Sequence, residues 1–109
     1  MSYLGKDIPK LGFGLMRLPM LENEVDIEQT KTMVDMFLKA GFTYFDTAYG
    51  YIGGKSEEAI KVVLVDRYPR ESFQLATKLP AWAGAKTAEE AREMLRTSLR
   101  RTGAGYFDF

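Results

Sequence analysis

Short apolar runs alternate with longer amphipathic stretches along the chain, and the alternation predicts a repeat of strand then helix. Leu11-Gly-Phe-Gly-Leu-Met16 reads as a strand with close backbone approach at Gly12 and Gly14. Asp26 is placed to cap a helix whose apolar positions Ile27, Val34, Phe37 and Leu38 keep helical spacing, and Gly41 supplies its stop. Thr43-Tyr-Phe-Asp-Thr-Ala48 follows as a strand. Ser56 then caps a second helix carrying Ala59, Ile60, Val63 and Leu64, which must end before Tyr68-Pro69. Phe73-Gln-Leu-Ala-Thr-Lys78 is the third strand. Thr87-Ala-Glu-Glu90 has the capping-box pattern. Its helix is expected to bury Ala91, Met94, Leu95, Ser98 and Leu99, to carry Arg100 and Arg101 in the last turn, and to stop at Gly103. Tyr106-Phe-Asp-Phe109 begins a fourth strand, and residues 1–10 read as a leading turn or small hairpin.

An internal echo supports the repeat. Gly41-Phe-Thr-Tyr-Phe-Asp46 and Gly103-Ala-Gly-Tyr-Phe-Asp108 share Gly-x-x-Tyr-Phe-Asp, spaced by two βα units of about 30 residues each. Strands alternating with helices imply a parallel α/β sheet, either doubly wound or closed into a (β/α)8 TIM barrel. A dinucleotide-binding doubly wound sheet wants Gly-x-Gly-x-x-Gly in its first βα turn. Here Arg17 stands where the third glycine belongs, and a stretch containing Pro19 separates it from the first helix cap. The barrel is favoured, with residues 1–109 as its N-terminal part and three to four βα units present.

Composition narrows the functions on offer. Fifteen basic residues balance fifteen acidic ones, so no basic field exists to hold nucleic acid. The absence of Cys removes disulfides and thiol chemistry from this stretch, and the absence of His removes the commonest base and metal ligand. No apolar run approaches the ~18 residues of a membrane span, and the N-terminus lacks a secretory pattern. The expectation is a cytoplasmic protein that binds neither membrane nor metal within these residues.

The candidate chemistry lies at strand ends. In a parallel barrel the loops after the strands open on one face, where barrel enzymes place their reactive groups. Asp46 and Lys78 end two successive strands, and Tyr51 follows Asp46 by five residues. Reduction of a carbonyl builds negative charge on oxygen as hydride arrives, so a proton donor must stand close. An ordinary phenol, with a pKa of about 10, is a reluctant acid, and a neighbouring ammonium stabilises the phenolate. Lys78 can tune, Asp46 can anchor, and Tyr51 or Tyr49 can donate. Asp108 repeats Asp46 in the echo but is read as structural.

The segments Phe42–Tyr51 and Leu75-Ala-Thr-Lys78-Leu-Pro80 strongly resemble the aldo-keto reductase family, whose members are (β/α)8 barrels that bind NADPH or NADH without a Rossmann domain. The family's Asp-Thr-Ala-x-x-Tyr falls on Asp46 to Tyr51, its Thr-Lys strand end on Thr77-Lys78, and its first strand on Gly12-Phe-Gly-Leu-Met-Arg-Leu-Pro19. The resemblance selects Tyr51 over Tyr49 as the acid and implies Asp46, Tyr51 and Lys78 as catalytic residues. It places Gly14, Leu15, Met16 and Asp46 near the nicotinamide end of NADP(H) or NAD(H). Trp82 becomes a candidate wall for a small carbonyl substrate, balanced against a role covering the barrel rim. Gly53-Gly-Lys-Ser-Glu57 and Leu79-Pro-Ala-Trp82 look most like bacterial members with an iron–sulfur extension, so a cluster is expected only in a region beyond these residues.

The resemblance also implies a catalytic His on the fourth strand, beyond Phe109. The chain is accordingly expected to be inactive by itself, and its open strand edges invite self-association. Two alternatives stand beside the reductase reading: a non-catalytic nicotinamide-binding regulatory barrel, and a self-associating half-barrel without an active site.

Overall fold

A computed structural model of the chain describes residues 7–79 and 86–109. Three short parallel strands form its sheet: β1 (Gly12–Gly14), β4 (Tyr44–Asp46) and β5 (Gln74–Ala76), in the order β1-β4-β5. Gly12, Tyr44 and Gln74 lie side by side, as do Gly14, Asp46 and Ala76 at the other end. Successive parallel strands are thus neighbours in chain order. A barrel requires that sequence, and the first half of a dinucleotide-binding doubly wound sheet shares it, so the missing third glycine of the first βα turn is what sets the two apart. All three strands are shorter than the apolar runs that announced them.

Helix α1 (Ile27–Lys39) begins where expected: Asp26 accepts a hydrogen bond from the Gln29 N–H at 3.2 Å. Gly41 follows the helix with a φ of 97°, the left-handed turn that a glycine stop supplies. Between β1 and α1 the chain makes a hairpin that the sequence did not announce, β2 (Met20–Leu21) against β3 (Glu24–Val25). Its two-residue turn puts Glu22 at a φ of 58°, and with no glycine there the usual hairpin signature is missing.

Helix α2 (Lys55–Ile60) opens differently from its expected form. Gly54, left-handed at φ 93°, is the cap. Ser56 lies inside the helix, fully buried, and bonds to the Leu15 carbonyl and the Thr47 hydroxyl. Its hydroxyl ties the helix to the loops after β1 and β4 instead of capping. A single π turn (Lys61–Val65) extends α2 and ends ahead of Tyr68-Pro69. A 3-10 turn at Arg70–Ser72 leads into β5.

Helix α3 (Ala88–Thr102) is capped by the Thr87 hydroxyl, which accepts from the Glu90 N–H, and Gly103 ends it at φ 63°. The capping box is offset by one residue, because Glu90 Oε2 accepts from the Lys86 N–H. Ser98 and Thr102 are buried, while Leu95 is exposed, contrary to expectation. Among the described residues α3 packs on α2, and Arg101 in its last turn reaches Glu57.

The core joins sheet to helices through Phe45, Phe73, Leu75, Ile60, Leu64 and Val34. Phe13, Phe37, Phe45 and Phe73 form a run of aromatic contacts with centroids 5.2–6.1 Å apart, crossing from β1 and α1 to the segment before β5. Removing a ring such as Phe45 from that run is worth about 3–5 kcal/mol.

Tyr106–Phe109 is not a regular strand. It runs beside β5, with the Asp108 N–H donating to the Leu75 carbonyl at 2.9 Å. The Leu75 N–H, however, is taken by the Asp108 side chain at 2.9 Å, and Arg70 binds the Tyr106 carbonyl at 2.7 Å. A carboxylate and a guanidinium thus stand in for rungs of the ladder. Asp108, read as structural despite its echo of Asp46, binds Arg70 and the Leu75 N–H. Among the described residues no helix is long and apolar enough to cross a membrane.

Candidate active site

β4 and β5 deliver the chemistry by ending side by side. Asp46 is the last residue of β4, and Lys78 lies two residues past the end of β5. Lys78 Nζ donates to Asp46 Oδ1 at 2.7 Å, to the Thr47 carbonyl at 3.0 Å and to the Tyr51 hydroxyl at 3.3 Å. The ammonium also stands 5.2 Å from the centre of the Tyr51 ring. Burial pulls the Lys78 pKa down, but the hydrogen bonds to Asp46 and Tyr51 and the nearby carboxylate charge outweigh it, and the net shift is upward. Asp46 and Lys78 stay open to solvent, with side chains 35% and 54% exposed, so a ligand can reach them.

The loop carrying Tyr51 is sharply turned. Ile52, Gly53 and Gly54 all have left-handed φ, at 51°, 60° and 93°. A β-branched residue in that region stores strain of about 1–3 kcal/mol, which the surrounding contacts must hold. Tyr49, the other candidate acid, points elsewhere: its ring lies under the Arg101 guanidinium at 4.4 Å.

The expected cofactor residues sit at the same rim. Gly14 pairs with Asp46 in register, and a Cβ added to it would meet nothing within 4 Å. Met16 is more than half exposed. Leu15 is fully buried in the core; its N–H donates to the Asp46 carbonyl and its own carbonyl accepts from Ser56. The strand end at Gly14 is thus open, next to the exposed Met16 and the Asp46 carboxylate. Trp82 lies outside the described residues. A broad hollow lined by Thr43, Phe73, Gln74 and Asp108 lies at the opposite end of the strands from this cluster. Among the described residues no group of three or more acidic, His or Cys side chains forms a metal site.

Sequence reasoning passed over the layer beneath the rim. Glu57, in the first turn of α2, is fully buried, accepting from Thr77 and from Arg101. Helical spacing carried the signal: Ser56 and Glu57 precede Ile60 by four and three residues, which puts them on the apolar face. A carboxylate on such a face needs a cation, and Arg101 supplies it.

Three parallel strands in chain order, with a carboxylate, an ammonium and a phenol converging on their C-terminal rim, make this chain part of an α/β barrel. The chain belongs to the aldo/keto reductase family, whose model matches residues 10–109. It is 29% identical over 104 residues to an aldo-keto reductase of Mycolicibacterium smegmatis, a match covering 95% of this chain and 34% of the relative. Among solved structures, an aldo-keto reductase from Klebsiella pneumoniae in complex with NADPH superposes with a TM-score of 0.76 at 26% identity, covering 93% of this chain and 34% of that one. The holo form of an aldo-keto reductase from Bacillus halodurans gives 0.72 at 28% identity, again covering 93% of this chain and 34% of that one. The chain therefore spans about a third of the length of the relatives it matches.

Proposed function

We propose that this chain supplies the proton-donating part of an NAD(P)H-dependent reductase that converts aldehydes or ketones to alcohols. The observation that carries the reading is a single ammonium, Lys78 Nζ, holding Asp46 at 2.7 Å and the Tyr51 hydroxyl at 3.3 Å on an open rim. The Klebsiella relative was solved with NADPH, and another structural relative at 26% identity was solved with the inhibitor epalrestat, which supports a nicotinamide cofactor and a small-molecule pocket.

Bound nicotinamide supplies the hydride. This chain's residues do the rest of the work. Gly14 and Met16, with Asp46 beside them, would hold the nicotinamide end of the cofactor. As hydride reaches the carbonyl carbon, the O–H proton of Tyr51 passes to the carbonyl oxygen, and the alcohol leaves. The phenolic oxygen keeps the negative charge, and the Lys78 ammonium stabilises it there. Asp46 holds the ammonium in place and keeps it protonated. Met16 borders the substrate side. The fourth catalytic group that the family implies, a His, is not among these 109 residues.

The test is Tyr51→Phe in the intact protein. Carbonyl reduction should fall by about 10³-fold, with NADPH affinity by fluorescence quenching within twofold of the parent. Full activity in that variant removes the assignment.

A further inference from the structure

The two loops that carry Lys78 and Tyr51 are joined beneath the rim by a closed circuit of hydrogen bonds. Thr77, the residue before Lys78, donates its hydroxyl to Glu57 Oε2 at 2.7 Å. Glu57 Oε1 accepts from Arg101 Nη1 at 3.1 Å. The same Nη1 donates to the Tyr49 carbonyl at 2.8 Å, two residues before Tyr51. The Tyr49 N–H donates to the Lys78 carbonyl at 3.0 Å, which returns the circuit to its start.

We propose that Glu57 and Arg101 are positioning residues, which lock the β5 loop to the β4 loop so that the Lys78 ammonium is held between Asp46 and Tyr51. The inference rests on the reductase reading for its catalytic consequence, but its geometric content stands apart from that reading.

Three features favour positioning over simple stability. Glu57 is completely buried, and its two oxygens are divided between the two sides of the circuit: one takes the strand end, the other takes the cation that reaches the Tyr49 loop. Arg101 comes from α3, the last helix, so the circuit reports the docking of α3 to the rim. Gly54 makes the approach possible. A Cβ there would fall 2.8 Å from Arg101 Cζ, so any side chain at this left-handed position displaces the guanidinium. A lone buried ion pair would need none of these links to the residues flanking Lys78 and Tyr51.

The experiment uses the intact protein with Arg101→Met, Arg101→Lys and Thr77→Val. Three quantities are measured: kcat for an aromatic aldehyde with NADPH, the NADPH dissociation constant, and the rate at which acetic anhydride labels Lys78 at fixed pH, read by peptide mapping. Arg101→Met should lower kcat at least tenfold with cofactor affinity within twofold, and should raise Lys78 labelling at least threefold as the ammonium loses its fixed seat. Arg101→Lys should recover most of both. Thr77→Val should move both quantities the same way by less, and it decides the matter if Arg101→Met does not fold. Folded variants with kcat within twofold of the parent and unchanged Lys78 labelling overturn the proposal. If the parent reduces no carbonyl at all, the functional reading fails, and the labelling rates still decide whether the circuit seats Lys78.

Discussion

Two clusters in this molecule contain the same three chemical types and arrange them in opposite order. At the rim, the cation stands in the middle: Lys78 donates to both Asp46 and Tyr51. On the outer surface, the carboxylate stands in the middle: Asp35 accepts from Arg67 at 2.8 and 2.9 Å and from the Tyr68 hydroxyl. A phenol that donates to a carboxylate gives up its proton less readily. Tyr68 accordingly has its pKa raised, first by the hydrogen bond to Asp35 and then by burial. The rim phenol instead accepts from a positive neighbour, the arrangement that the proposed proton transfer needs. Composition of a cluster therefore does not define a proton donor. The order of its members does.

The comparison breaks most sharply if the rim phenol is removed without consequence. Tyr51→Phe carries the largest expected effect, a loss of about 10³-fold in turnover, while Tyr68→Phe should leave kcat within twofold. Next comes the central cation. Lys78→Met should cost about 10²-fold in kcat, because the phenol then has no positive partner, and Lys78→Arg should retain more. Equal loss in Lys78→Met and Lys78→Arg would mean that charge at this point is not what matters.

The rim cluster was legible in the sequence because both its β-strands end in the reactive residue or within two of it, and strand ends converge by topology. Its supporting layer was less so. Arg101 and Glu57 are far apart in sequence, and only the docking of α3 on α2 brings them to 3.1 Å. Helix starts at Asp26 and Thr87 were readable because a short polar side chain does the capping. The start of α2 was misread because Gly54 caps through its backbone conformation, leaving Ser56 free for a buried task. The β2–β3 hairpin had no turn glycine to announce it.

The echo supplies a smaller effect. Asp108 occupies the place of Asp46 in its repeat, yet its side chain satisfies the Leu75 N–H and Arg70, both at 2.9 Å. Asp108→Ala should therefore lower stability by about 2–3 kcal/mol in chemical denaturation and leave kcat within threefold. A large fall in kcat with stability unchanged would make Asp108 part of the chemistry and the echo functional.

The smallest expected effect belongs to the outer cluster, and it is read through pH. The hydrogen bond from Arg67, then that from Tyr68, holds the Asp35 carboxyl below its ordinary pKa, against an opposing effect of burial. The folded state thus binds that proton less tightly than the unfolded chain. The stabilisation is complete above the ordinary carboxylate range, near pH 4, and fades as pH falls through the folded value. Tyr68 runs the other way: its raised pKa stabilises the fold below about pH 10 and is lost as pH rises beyond the folded value. Asp35→Asn removes both contributions. The stability difference between parent and variant should form a plateau between about pH 5 and 9 and shrink at either end. Because the Asp35 side chain is 44% exposed, solvent screening keeps that plateau to about 1 kcal/mol or less. A difference that persists unchanged to pH 2.5 would show that packing, not charge, is what Asn disturbs. The outer cluster would then no longer serve as the electrostatic opposite of the rim.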